Sequence, residues 1–158
     1  MDIVAQIRED LGSEWIPSIY EDQIRPLRTR SFEMPIPAKE NEPVVLHTLL
    51  GVELKVARTR IPCPDLGTAR YLAVFAALGC GQIAVPYDIT AIPGFADLLE
   101  SAWNSTFISF AKHTVGMAPQ TVGKTRARLI RAIREEIALI GAGEKMPLFN
   151  TSTRQRET

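Results

Sequence analysis

Apolar positions recur along this chain in two rhythms, and the switches between them mark out its elements. From Asp2 to Leu11, Ile3, Val4, Ile7 and Leu11 fall three and four apart, the spacing of one helix face, and Gly12 supplies a stop. Trp15 to Arg30 carries Trp15, Ile16, Ile19, Ile24 and Leu27, but Pro17 and Pro26 limit it to one or two helical turns. Ser31 to Pro43, with Pro35, Pro37, Pro43 and the polar run Lys39 to Glu42, reads as a long connector.

The rhythm then shortens to two. Val44–Thr48 is rich in β-branched residues, and after Gly51 the apolar Val52, Leu54 and Val56 alternate with Glu53 and Lys55. Two strands, Val44–Thr48 and Val52–Ile61, are expected as an antiparallel hairpin. Pro62 and Pro64 close the second strand, Asp65 or Thr68 caps a helix running to Leu78, and Gly79 and Gly81 end it. Ile83–Val85 is a short apolar strand, buried on both faces if parallel to a neighbour.

Helical spacing returns after Pro93, where Phe95, Leu98, Leu99, Ala102, Trp103, Thr106 and Phe110 form a broad stripe. Gly116 and Pro119 interrupt the chain. Thr121 is then expected to cap a last helix with Leu129, Ile130, Ile133, Ile137 and Ile140 on one side, ended by Gly141. Asn150–Thr158 holds nothing apolar to bury beyond the fold and reads as a tail without order.

This order predicts an α/β or α+β fold, with residues 1–149 as a single domain and 150–158 as the tail. A small sheet, made of the hairpin plus a right-handed β-α-β crossover from Val52–Ile61 to Ile83–Val85, is covered by helices. Two long helices form the C-terminal part.

Composition narrows the function classes. Apolar residues are 46% and charged residues 23% of the 158, ordinary globular usage. Eighteen basic and eighteen acidic side chains cancel, so no long-range field draws the whole molecule to nucleic acid or to an acidic membrane. No run approaches the ~20 apolar residues of a membrane span. The charged, amphipathic start lacks the pattern of a secretory signal, which gives a soluble, cytoplasmic protein as the expectation. Cys63 and Cys80 have neither zinc-finger nor C-x-x-C spacing and read as reduced core thiols.

Several groups of residues carry candidate chemistry. Glu53-Leu54-Lys55 sets a carboxylate and an ammonium on one face of a strand. With the order hairpin, helix, strand from Val44 to Val85, this tripeptide resembles the PD-(D/E)xK nucleases, which implies Glu53 and Lys55 as catalytic residues and Mg²⁺ as cofactor. The preceding strand carries no aspartate, so Glu42, Asp65 or Asp88 would have to supply the second oxygen ligand. The structural alternative is a solvated outer sheet face with weak cross-strand pairs.

Lys124, Arg126, Arg128, Arg131 and Arg134 lie opposite the apolar stripe of the last helix, where they would either track phosphates or form a solvated face that includes Glu135 and Glu136. Pro86-Tyr87-Asp88 follows a buried strand, the place where open α/β sheets build crevices. Arg70, Tyr87 and Asp88 are therefore candidate ligand-binding residues, the alternative being an Arg70 ion pair on the helix surface and a turn at Asp88. Gly79-Cys80-Gly81 follows a helix instead of preceding one, so it reads as a C-terminal cap. His47 reads as a hydrogen-bonded core or interface residue. Neither histidine has a ligand partner at metal spacing, and no metal site is assigned.

Outside the nuclease resemblance no cofactor is implied. The leading expectation is a small binding protein that acts as a homo-oligomer, such as a homodimer, or on a protein partner. It is motivated by the width of the aromatic face on the Pro93–His113 helix, since aromatic residues are enriched at interface cores.

Overall fold

A computed structural model describes residues 2–146. Helix α1 (Ile3–Leu11) stops at Gly12, whose φ of 53° suits glycine. A short helix, α2 (Ile16–Ile19), widens into a π-helical turn over Tyr20–Ile24, and strand β1 (Thr29–Glu33) follows. Strands β2 (Val44–Thr48), β3 (Gly51–Val56) and β4 (Thr59–Cys63) come next, then α3 (Leu66–Ala77), β5 (Gln82–Pro86), α4 (Ile92–His113), α5 (Pro119–Ile140) and β6 (Glu144–Met146).

The strands form two sheets, and the expected crossover is absent. β2-β3-β4 is an antiparallel meander, while β1 lies between β5, to which it is antiparallel, and β6, to which it is parallel. β4 and β5, on either side of α3, thus belong to different sheets. The expected single strand Val52–Ile61 is folded back at Ala57, which takes a φ of 53° without glycine's freedom. Pro62 does not stop the strand but lies inside β4, opposite Glu53, on a sheet edge where its missing N–H leaves no gap. Thr121 is not the cap of α5: the helix begins at Pro119, after Ala118.

The expected α3 cap holds, with Asp65 Oδ1 accepting from the Thr68 N–H at 2.7 Å. α3 covers the inner face of the meander, where Leu54 and Val56 are fully buried with Ile61 and Cys63 behind them. Residues of both sheets and of the helices pack into one hydrophobic core. Among the described residues no helix is long and apolar enough to cross a membrane. The polar tail predicted for Asn150–Thr158 lies outside the described residues.

The connector ahead of β2 is tightly held. Buried Asn41 donates from Nδ2 to the carbonyls of Pro37, Lys39 and Ala76, and its own N–H donates to Ala77. Gly79 has a φ of 80°, and a Cβ there would stand 2.4 Å from the Lys39 carbonyl oxygen, so glycine both ends α3 and admits the connector.

Candidate functional site

The β2–β3 hairpin is buried at its base and exposed at its tip. Its registers put Val45 and His47 on the face of Leu54 and Val52, and Val44, Leu46 and Thr48 on the outer face with Lys55 and Glu53. α3 covers the base of the inner face but not the tip: His47, Thr48, Gly51 and both turn residues are exposed, and Leu49 and Leu50 fully so. His47 is therefore not a core residue, because it lies past the end of the covering helix. Thr48 Oγ1 tightens the turn by donating to the Gly51 carbonyl and accepting from the Leu50 N–H.

β2 is also an edge strand, so every second residue turns its N–H and C=O away from β3. From Pro43 to Val52 the sequence carries no Asp, Glu, Lys or Arg. Exposed edges are usually blunted by such charges or by proline within the strand. The opposite edge of the same sheet has both, Arg60 and Pro62 on β4.

Glu53 and Lys55 lie on the outer face, the side away from α3. Glu53 Oε2 is 3.4 Å from Arg60 Nη1, a partly exposed ion pair of the strand-surface kind. Among the described residues no group of three or more His, Cys, Asp or Glu side chains is placed to hold a metal ion.

The cations of α5 are mostly engaged within the chain. Arg126 forms a two-pronged pair with Glu40 at 2.7 and 2.6 Å and stacks over Phe107, with its Cζ 4.0 Å from the ring centroid. Arg128 pairs with Asp2 and Arg131 with Glu135, while Arg134 donates to the Leu78 carbonyl. Lys124 is exposed. Four of the five predicted phosphate contacts thus already have protein acceptors.

Arg70 is not beside Tyr87 and Asp88. Its guanidinium spans Asp97 and Glu100 of α4, and these carboxylates raise its pKa. Asp88 accepts from the Thr90 N–H and hydroxyl, which lowers its carboxyl below the usual value and makes it a turn residue. Tyr87 instead lies under Arg28 and Arg30. A cleft of about 590 Å³ beside Arg70 and Arg126 reaches Trp103, but each of its two cations is held by a carboxylate of its own wall.

The aromatic side of α4 is used within the chain. Phe110 is buried, and Trp103 and Phe107 are half-buried against the core, in contact with each other at 4.7 Å between centroids. His113 ties α4 to α1: its Nε2 is 2.6 Å from Asp10 Oδ2, to which Ser109 Oγ also donates at 3.0 Å. These bonds, the histidine's first, lower the Asp10 pKa. Burial raises the thiols of Cys63 and Cys80 to about 11 and about 12, so both stay protonated and unreactive at neutral pH.

Comparison with protein-family models, with curated proteins and with solved structures finds no match to this chain.

Proposed function

We propose that this protein acts by binding, and that its partner is a second copy of itself joined along β2. The carrying observation is the uncharged, unblunted β2 edge that ends in two fully exposed leucines. A two-fold axis sets each residue close to its own mate, so an uncharged strand can pair with itself without like-charge repulsion. Antiparallel pairing centred on Leu46 would join the meanders into one continuous sheet and bring Leu49 of one copy beside Pro43 of the other.

Two other readings have less support. The Glu53–Arg60 pair gives Glu53 a structural partner, and the internal acceptors of the α5 arginines leave little charge free for phosphates.

Sedimentation equilibrium of wild type and Leu46→Lys tests the proposal. Lysine is the residue that natural edges use against pairing, and Glu53 stands opposite position 46 to hold it in the monomer. Wild type should show a reversible monomer–dimer equilibrium, and the variant should associate at least about tenfold more weakly. A wild type that stays monomeric, or a variant that dimerises equally well, contradicts the reading.

A further inference from the structure

At the end of β5 a pocket of about 120 Å³ is bounded by Arg30, Thr68, Tyr87, Val85, Ile89 and Ile92. The guanidinium carbons of Arg28 and Arg30 lie 4.5 and 4.0 Å from the centroid of the Tyr87 ring. Among the described residues neither arginine has a carboxylate within ion-pair distance, whereas Arg8, Arg60, Arg70, Arg126, Arg128 and Arg131 each have one. The Arg30 Nε–H is also buried without an acceptor. A buried donor left unmade is costly, and among the described residues no carboxylate stands against the Arg30 guanidinium.

Size and lining narrow the class of anion. The volume equals about four water molecules, enough for a carboxylate with a short chain and too little for a nucleotide. Val85, Ile89 and Ile92 offer no donors, so a dianionic phosphate would lose more hydration than the walls return, while an alkyl chain is suited to them. We infer that this pocket binds the carboxylate of a short-chain aliphatic acid, with Arg30 as the fork that receives it and Tyr87 as the platform that holds the fork. In the bound state the orphan Nε–H and one Nη–H would donate to the two carboxylate oxygens.

The test is a titration of the full-length protein with sodium butyrate, followed by calorimetry and by amide ¹H–¹⁵N spectra, with sodium chloride at equal ionic strength and inorganic phosphate as comparisons. Butyrate should bind saturably, move the amides of Thr68, Tyr87 and Ile89–Ile92 most, and bind Arg30→Lys about tenfold or more weakly, since lysine keeps the charge but loses the fork. Unchanged affinity in Arg30→Lys, shifts centred elsewhere, tighter binding of phosphate, or no saturable binding would each overturn the inference. If Arg30→Lys does not fold, the wild-type shift map and the butyrate-to-phosphate comparison decide it.

Discussion

β5 and β2 each end a sheet, and the chain finishes these two edges in opposite ways. At the middle of β5 the Ala84 N–H donates to the Tyr20 hydroxyl at 2.8 Å, and the Ala84 carbonyl accepts from Tyr71 at 2.6 Å. Tyr20 in turn donates to the Gly141 carbonyl at the end of α5. Burial raises Tyr20 to about 12 and Tyr71 well above its ordinary value, so both hydroxyls keep their protons. The helices thus occupy the edge of β5 with side chains that can both donate and accept. Among the described residues nothing pairs with the outer edge of β2, and a second copy is the cover we propose for it. An edge closed from within stabilises the monomer; an open one keeps its backbone groups available for another strand.

The closed edge yields the largest expected effect. Tyr20→Phe leaves the Ala84 N–H and the Gly141 carbonyl without their partner and should cost about 2 kcal/mol in urea unfolding. A loss near zero would mean that water replaces the hydroxyl and that the edge is not sealed. Next comes the blunted edge: Arg60→Thr with Pro62→Val removes both guards of β4. The double variant should form species larger than a dimer by sedimentation velocity, since each copy would then have two pairable edges.

Part of this arrangement is legible in the sequence. Periodicity and caps predict α1, α3, α4, α5 and the start of the hairpin, because long amphipathic helices repeat one signal many times. β1 escapes the sequence reading because its buried positions include Thr29 and Ser31, the latter accepting a bond from Gln82 Nε2, so its polar residues hide a central strand. The fold-back at Ala57-Arg58 escapes as well, since no glycine, asparagine or proline marks it. The broad aromatic face of α4 is visible in sequence, but the side chains that cover it, Arg126 among them, are contributed by distant segments. The candidate surface does have a sequence signal, the uncharged run from Pro43 to Val52. Reading it requires knowing that β2 lies at an edge.

Smaller effects should leave both edges intact. The Asp10 carboxyl is held below its ordinary 3.8 by His113 and Ser109, so the tie between α1 and α4 is complete above that value and fades as pH falls through the lower folded value. Asp10→Asn should flatten that part of a melting-temperature profile against pH while leaving self-association unchanged. Ala57→Gly relieves a left-handed backbone between β3 and β4 and should add about 0.5–1 kcal/mol of stability, again with no change in association.

The most direct test of the central claim is backbone amide hydrogen exchange, measured at low and at high protein concentration. Amides in Val44–Thr48 should become more protected as concentration rises, while those of β4 and β5 exchange at unchanged rates. Equal exchange of the β2 amides at both concentrations would contradict it.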